Sequence, residues 1–233
     1  ELRILQNLRH NLFRETGLFR TDPDYLIGEQ VRDLKVYQAV LSAIALGARK
    51  PVDIALQADL PQRSGVDPYL SQLVEMDYIR RELPATVPPN KRQTSRLSRY
   101  VLADNYLRFY FRFVRSNLDL IAQQLYDEVE KRISEQLRAF VGMTAFEELS
   151  REWILTQARS GKLPFGVEQV GSHWGGGVQV DVVAINWREK QVLLGESKWQ
   201  AEPIRKRIMR DMIEVKTPKV LKILPKAGEG WQV

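Results

Sequence analysis

The sequence predicts an α+β protein, with a mostly helical N-terminal part followed by an α/β part that contains a mixed sheet. Two patterns support this prediction. From Asp33 onwards apolar residues recur every three or four positions, which is the period of a helix. After Thr144 a further helical stretch is followed by short apolar runs between turn residues, which indicates strands. The chain has 233 residues, enough for one large domain or two modest ones at roughly 100–200 residues each.

The N-terminal pattern predicts three short helices and a hairpin. The first helix ends at Gly47, and the second begins at Pro51 and stops at Pro61. The third is followed by two strands, YIRREL and SRYVLAD, which enclose a polar, proline-containing arm at 84–96. Three helices and a basic hairpin predict a winged helix-turn-helix over residues 30–104, with the arm as its wing.

The positive charge of the chain is concentrated around this hairpin. The formal net charge is +6, and between Arg80 and Arg115 nine basic residues stand against two acids. Such a block is expected of a protein that binds the phosphate backbone of DNA, and the alternative is a solvated surface of unpaired arginines. We favour DNA as the partner. The candidate DNA-binding residues in and beside the hairpin are Arg80, Arg81, Lys91, Arg92, Arg96 and Arg99.

The segment NYLRFYFRFVRSN places aromatic residues at helical spacing, with arginines on the other side. Aromatic and arginine side chains together can stack on single-stranded bases. The alternative is a helix that buries an aromatic stripe in the core, and the helical spacing favours it. Residues 105–141 are predicted to be a helical spacer. The aromatic residues on one face are Tyr106, Phe109, Tyr110 and Phe113.

Several classes of function are excluded by what the sequence lacks. It contains no cysteine, which excludes disulfide and thiolate chemistry and favours a cytoplasmic protein. No apolar stretch is long enough to span a membrane, and no secretory signal is visible. The two histidines, His10 and His173, form no zinc pattern, and GSHWGGG is a hairpin turn that lacks the residues of a phosphate loop. Because the chain starts at Glu1 inside an amphipathic segment, we expect a longer protein.

The C-terminal pattern predicts a helix, a three-stranded meander, a second helix and a last strand. The first helix is TAFEELSREWILTQARSG, and its apolar stripe is expected at Phe146, Leu149 and Trp153. A strand at 165–173 and the runs on either side of Asn186–Lys190 form the meander. A basic helix from about Pro203 to Lys216 precedes the last strand, KVLKIL. This order predicts an α/β layer with a mixed sheet.

Charged residues at the ends of the two apolar runs are the candidate active site. Among the acid-x-Lys triplets of the chain, only Glu196-Ser197-Lys198 ends a predicted strand, where alternation puts Glu196 and Lys198 on one face. Asp181 lies on the adjacent antiparallel run. Two carboxylates held together repel unless a cation joins them, and Mg²⁺ or Mn²⁺ suits oxygen ligands. The alternative is a turn-proximal aspartate beside a salt-bridged strand end.

These residues resemble the PD-(D/E)XK, or restriction-endonuclease-like, nuclease fold over residues 142–233. The resemblance implies that Asp181 and Glu196 are metal ligands and that Lys198 is catalytic. Many members also carry a glutamate on the first helix, and the resemblance implies that Glu147 in AFEELSREW is this catalytic residue and metal ligand, with Glu148 as the other candidate. Thr144 and Glu147 also have capping-box spacing, so Glu147 is equally expected to cap its helix. Gln179, two residues before Asp181, is expected on the same face.

The order of YQAVLSAIALG, YLSQLVEMDYIRRELP, RYVLADNYLRFYFRFV and GESKW is similar to the C-terminal half of a prokaryotic P-loop ATPase family. The resemblance implies that residues 1–29 end an ATPase region, that ATP binds only outside this chain, and that the missing ATPase region is a partner. A homo-oligomer is a further expectation. The predicted function is a Mg²⁺-dependent DNA endonuclease, and the alternatives are a catalytically silent DNA-binding module and a protein-protein adaptor.

Overall fold

The computed structural model describes residues 2–17, 19–20, 22–60, 63–203 and 206–233. The chain divides into two compact units. The first unit comprises Glu1–Glu82 and Arg99–Leu137, and the second comprises Leu83–Ser98 and Arg138–Val233. The boundary at 137/138 falls inside a helix, and the arm between the two strands of the hairpin belongs to the second unit.

The first unit is mostly helical. Three of its helices and a two-stranded hairpin follow in the order that the sequence predicts; the predicted stop at Pro61 lies outside the described residues. Its helices are α1 (Leu2–Leu8), α2 (Asp22–Gly28), α3 (Leu34–Ala45), α4 (Pro51–Gln57), α5 (Arg63–Glu75), α6 (Asn105–Phe109), α7 (Leu118–Ala122) and α8 (Tyr126–Val141, which ends in the second unit). Its strands are β1 (Ile79–Glu82) and β2 (Arg99–Leu102), which pair antiparallel.

Helix α3 supplies the centre of this unit. Val40 and Leu41 on its apolar face are fully buried, as the helical period predicts. Helix α4 begins with Pro51, whose missing N–H is tolerated in the first turn of a helix. The hairpin is joined to the helices by the amide of Tyr100, which donates a 2.9 Å hydrogen bond to the carbonyl of Arg49.

The aromatic segment that follows β2 is part of the core. Tyr110 and Phe113 of the predicted stripe are at most 2% exposed, as the burial alternative predicts, whereas Tyr106 and Phe109 are half-buried. Two of its arginines form a hydrogen bond or an ion pair within the same unit. Arg108 donates from Nε to the carbonyl of Leu102 at 2.8 Å. Arg115 pairs with the carboxylate of Asp24 at 3.1 Å, which leaves less of the basic block available for phosphates.

The arm at 84–96, predicted to be the wing of the winged helix, is packed into the second unit. The amide of Ala85 donates to the carbonyl of Ser172 at 2.8 Å, and Ala85 is fully buried against Gly171. At the other end of the arm, the carbonyl of Leu97 accepts a 2.7 Å hydrogen bond from the indole of Trp174. The arm therefore completes the second unit on the first strand of its sheet.

The sheet of the second unit is an antiparallel meander, as predicted. It consists of β3 (Gln169–Gly175), β4 (Val178–Asn186) and β5 (Gln191–Gly195), in the order β3-β4-β5. The turn between β3 and β4 contains glycines with φ of +58° at Gly176 and +71° at Gly177, which other residues rarely adopt. The glycines are therefore a hairpin turn.

The predicted last strand is wrong, and with it the mixed sheet. The second unit contains the helices α9 (Glu147–Arg159), α10 (Lys206–Asp211) and α11 (Thr217–Ile223), and KVLKIL lies on and just after α11. Its apolar residues also fit a helix, because Val220 and Leu224 are one turn apart and are buried together against the sheet. In the described part of the chain the parallel pairing is a bridge between Gln191 and Gln232. Residues 204–205 of the predicted basic helix lie outside the described residues.

The predicted apolar stripe of α9 is also wrong. Leu149 and Trp153 are 58% and 61% exposed, whereas Ile154 is buried. Helix α9 continues α8 without a break, through a wider π-helical turn at Gly142–Phe146. Its inward face carries Ile154 and small or charged side chains, because the first turns of α9 lie beside the polar ends of the strands.

The two faces of the sheet pack against different helices. Val182 and Ala184 of β4 contact Ile154 of α9, and Val183 and Ile185 contact Val220 of α11. The middle strand β4 is thus buried on both sides, whereas β3 and β5 are partly half-buried. No helix in the described part of the chain has both the length and the apolar character that a membrane span needs.

A buried hydrogen bond attaches the arm to the sheet and can be tested directly. Thr86 and His173 are 2% and 1% exposed, and Thr86 Oγ1 lies 2.6 Å from His173 Nδ1. We expect Thr86→Val to lower the free energy of unfolding by about 1–3 kcal/mol, since valine keeps the shape but loses the buried hydrogen bond. Urea denaturation of the second unit measures the effect. Thr94→Val on the exposed part of the arm is the matched control, and an equal effect of the two changes would contradict the prediction.

Candidate functional site

The register of β4 and β5 brings two acids together. The last pair of the ladder is Val182 with Gly195, so Asp181 and Glu196 are the next residues on two neighbouring strands. Residues opposite each other in an antiparallel pair have Cα atoms roughly 4.5–5.5 Å apart. Strand β5 ends at Gly195, so the predicted strand end at Glu196-Ser197-Lys198 lies just beyond it, and strand alternation does not explain the contact between Glu196 and Lys198.

A bulge in β4 sets the direction of Asp181. Gly171 pairs with Val183 and His173 pairs with Val180, so two steps on β3 match three on β4. Val180 packs on the same side as Val183, which simple alternation would not allow. Val178 and Val180 both pack on the α11 side, so Gln179 between them lies on the face of Asp181, as predicted, although Gln179 is exposed and Asp181 is buried.

Asp181 is fixed by hydrogen bonds to its side chain and its backbone. Its Oδ2 accepts a 3.0 Å hydrogen bond from the amide of Ser197, and its carbonyl accepts one of 3.3 Å from Arg151 of α9. In the described part of the chain Oδ1 accepts no hydrogen bond. The Ser197 amide belongs to the residue after Glu196, so this contact holds the two acids side by side.

Two lysines hold the carboxylate of Glu196. Oε1 accepts from Nζ of Lys198 and Oε2 accepts from Nζ of Lys216, both at 2.6 Å. Burial of this side chain alone would raise its pKa, but the hydrogen bonds and charges of the two lysines lower the pKa of Glu196 below its ordinary value. Glu196 is therefore an ionised carboxylate with both oxygens occupied by cations.

Lys198 lies in the field of three acids. Burial works against its charge, but the hydrogen bond to Glu196 and the charges of Glu196, Asp181 and Glu147 raise the pKa of Lys198. The structure thus brings Asp181, Glu196, Lys198 and Glu147 of the sequence-predicted site to one place. Their catalytic roles remain predictions.

Glu147 stands on the inward face of α9, and the backbone excludes a cap. The helix is continuous through this position, so there are no unpaired amides of a helix start at Thr144. The hydroxyl of Thr144 instead donates to the carbonyl of Phe140 at 2.6 Å. Glu147 lies 3.9 Å from Arg151, one turn further along the same helix.

Three residues at the site were not predicted from the sequence. Ser150 contacts Ser197 through their hydroxyls at 3.0 Å, and Arg151 contacts the backbone of Asp181. Lys216 belongs to the triplet Glu214-Val215-Lys216, which the sequence predicts to be helical and away from the strand end. The sequence does carry a signal for it: Met212, Lys216 and Val220 are spaced by four, which puts Lys216 in the stripe that packs on the sheet.

The site can hold a cation, but few acidic side chains are available as ligands. In the described ranges no three His, Cys, Asp or Glu side chains are grouped closely enough to hold a metal ion. Mg²⁺, however, is commonly held by one or two carboxylates, with water and phosphate completing its shell. Asp181 offers a free oxygen, and the ammonium groups on Glu196 show that this carboxylate attracts cations. The donor set therefore fits Mg²⁺ or Mn²⁺ if a lysine gives up an oxygen of Glu196.

The six candidate DNA-binding residues are divided between the two units. Arg80 and Arg81 on β1 are exposed in the first unit, and Arg99 on β2 is half-buried. Burial, followed by the charge of Arg49, lowers the pKa of Arg99. In the arm of the second unit Lys91 and Arg96 are exposed. Arg92 has a buried Nη1 that makes no hydrogen bond within the described residues.

Comparison with known proteins relates the chain to archaeal and bacterial proteins. Residues 110–212 match the family DUF234, described as "Archaea bacterial proteins of unknown function", and this segment contains the whole β3-β4-β5 sheet. Over 201 residues the chain is 30% identical to an uncharacterized protein of Methanocaldococcus jannaschii. The alignment covers 85% of this chain and 44% of that relative, so the chain spans less than half of the relative's length. No solved structure is significantly similar to the chain.

Lys198 and Lys216 together form a clamp on Glu196, and its contribution to stability should depend on pH. Because the folded protein lowers the pKa of Glu196, the clamp stabilises the fold fully above the ordinary carboxyl value of 4.5 and loses this contribution as the pH falls below it. We expect Glu196→Gln to lower the thermal midpoint at neutral pH, and the difference from wild type to shrink at acid pH. The exposed Glu189→Gln is the control, with a small difference at every pH. A Glu196→Gln deficit that stays constant down to acid pH would contradict the clamp.

Proposed function

We propose that this chain is the DNA-binding and DNA-cleaving part of a metal-dependent deoxyribonuclease, with its active site at the ends of β4 and β5. One observation carries the proposal: the Ser197 amide on Asp181 holds this carboxylate beside Glu196, whose partner is Lys198. Two carboxylates and a lysine at one strand end are the groups that phosphodiester hydrolysis with a divalent ion requires.

Each side chain has a distinct role in the proposed reaction. Asp181 and Glu196 would hold Mg²⁺ or Mn²⁺, and Glu147 supplies further negative charge beside them. A bound divalent ion polarises the phosphodiester and acidifies a water molecule. Lys198 provides fixed positive charge where the phosphate becomes more negative in the transition state. Arg151 positions the site, since it contacts the backbone of Asp181 and lies near Glu147.

DNA binding is proposed for exposed basic residues in each unit. Helices α3–α5 and the hairpin have the element order of a winged helix-turn-helix, and Arg80 and Arg81 lie on its first strand. The arm contributes Lys91 and Arg96 in the same compact unit as the carboxylate site. Contacts from these side chains to phosphates would position the duplex without reading its sequence.

A catalytically silent DNA-binding module is the second candidate, and one observation favours it. Both oxygens of Glu196 are held by lysines, an arrangement that is electrostatically complete without a metal. In that case the site would be a structural ion cluster, and the module would serve the ATPase region that the sequence resemblance implies. ATP would bind to that region, and no residue of this chain is proposed to contact it.

Cleavage of DNA separates the two candidates. We expect wild-type protein to cut plasmid DNA in the presence of Mg²⁺ or Mn²⁺, and Asp181→Asn to abolish cutting while keeping an oxygen that accepts the Ser197 amide. Lys198→Met should reduce the rate by about 100-fold or more but keep metal-induced thermal stabilisation, because it removes the charge at the phosphate and frees Oε1 of Glu196 without removing a proposed metal ligand. Lys162→Met, an exposed lysine of the same unit, is the control. Full activity of Asp181→Asn would exclude this site.

DNA binding by the arm can be tested independently of cleavage. We expect Lys91→Gln with Arg96→Gln to weaken binding similarly for all DNA sequences, and to reduce the salt dependence of log Kd by about 0.9 per lost phosphate contact. Fluorescence anisotropy at several salt concentrations measures both quantities. Arg92 stays unchanged in this variant because part of its guanidinium is buried. The charge-matched control is Lys131→Gln with Lys162→Gln, and equal salt slopes for the two double variants would remove the arm from the interface.

A further inference from the structure

Lys216 reaches the site from the helical layer under the sheet. It ends the π-helical turn Met212–Lys216 between α10 and α11, and its Nζ lies 2.6 Å from Glu196 Oε2. The two side chains are 21% and 13% exposed, so the contact is shielded from water. Met212 and Val220, one turn before and after Lys216, pack against the core of the sheet and fix the position of its backbone.

We propose that Lys216 is a built-in competitor for the metal: it holds Glu196 when no metal is bound and must release Oε2 when a divalent ion binds. The inference rests on the proposed function, because it takes Glu196 to be a metal ligand. Lys216 would then set how tightly the site binds Mg²⁺, without itself contacting the metal or the reacting phosphate.

The geometry identifies Lys216, and not Lys198, as the residue that yields. Lys198 is also attracted by Asp181 and Glu147, so it remains in a negative environment whatever happens at Glu196. Lys216, by contrast, forms an ion pair with Glu196 and with no other acid in the described part of the chain. A cation that arrives at Oε2 therefore meets an ammonium group with no second acid to hold it in the site.

Competition and a purely structural salt bridge predict different measurements. If the contact only ties α11 to the end of β5, its removal lowers stability and leaves metal affinity unchanged. If the ammonium and the metal compete for one oxygen, its removal raises metal affinity. The coupling is reciprocal: if Lys216 lowers the affinity of the site for the metal, the bound metal must equally weaken the contact between Lys216 and Glu196.

The first test compares Lys216→Met with Lys219→Met. Both changes remove one positive charge from the same helical segment, but Lys219 is exposed and does not contact Glu196. Calorimetric titration with Mg²⁺ alone should give a Kd about fivefold or more tighter for Lys216→Met than for wild type, which is the lower end of typical site-site coupling. The Kd of Lys219→Met should stay close to the wild-type value, since it changes only the general charge.

The second test uses the wild-type chain and does not depend on how well a variant folds. Lysines are acylated with an amine-reactive reagent with and without Mg²⁺, and the modified positions are quantified by mass spectrometry. Lys216 should react faster when Mg²⁺ is present, and Lys219 should react at the same rate as an internal standard.

The outcomes separate this inference from the proposed function. Equal Mg²⁺ affinity of wild type and Lys216→Met, with unchanged reactivity of Lys216, overturns the competition; the metal site still stands if Asp181→Asn loses Mg²⁺ binding. If wild type and both lysine variants bind no Mg²⁺ at millimolar concentration, the metal assignment of Asp181 and Glu196 falls, and the competition falls with it.

Discussion

The pairing of β4 with β5 is the constraint on which the candidate site depends. Because the ladder ends at Val182 and Gly195, Asp181 and Glu196 leave it at the same point, and the Ser197 amide then joins them through Asp181 Oδ2. A slip of one residue would send all side chains of β5 to the opposite face. The buried apolar faces that α9 and α11 cover therefore fix the site indirectly, since they make such a slip costly.

Placing acids side by side has an electrostatic cost that other residues must offset. Like charges at close range raise one another's pKa, yet the pKa of Glu196 is lowered. The lysines on its two oxygens account for this, and the positive charge of Lys198 also acts on Asp181 and Glu147. The same compensation gives the site two readings, as a stable ion cluster or as a cation site in which ammonium groups take the metal's place. The proposed exchange of a lysine for a divalent ion would connect the two, because either cation would neutralise the same carboxylate.

Local patterns in the sequence were sufficient for the meander and for the proximity of Glu196 to Lys198, because both depend on residues that are close in the chain. Long-range packing explains the errors. KVLKIL fits either period, and burial of Val220 against the sheet selects the helix. On α9 the stripe with Leu149 is the more apolar one, but the strand ends need polar partners, and the helix turns Glu147 and Arg151 towards them. The bulge at Asp181 is a shift in the pairing of β4 with β3, and the residues VQVDVV alone do not predict it.

The arm brings the basic residues of the predicted wing into the unit that contains the carboxylate site, whereas the sequence predicts them in separate domains. Ala85 fills the space left by the missing side chain of Gly171, where a Cβ would lie 3.2 Å from the Ala85 methyl group, and Thr86 caps the buried ring of His173. Because Ala85 and Gly171 are both small, the arm lies close to β3. Its exposed tip, with Lys91 and Arg96, is therefore held by the same sheet that carries Asp181. In the proposed function, a phosphate at the tip and a phosphate at the carboxylates would be recognised by one compact unit, without the winged helix.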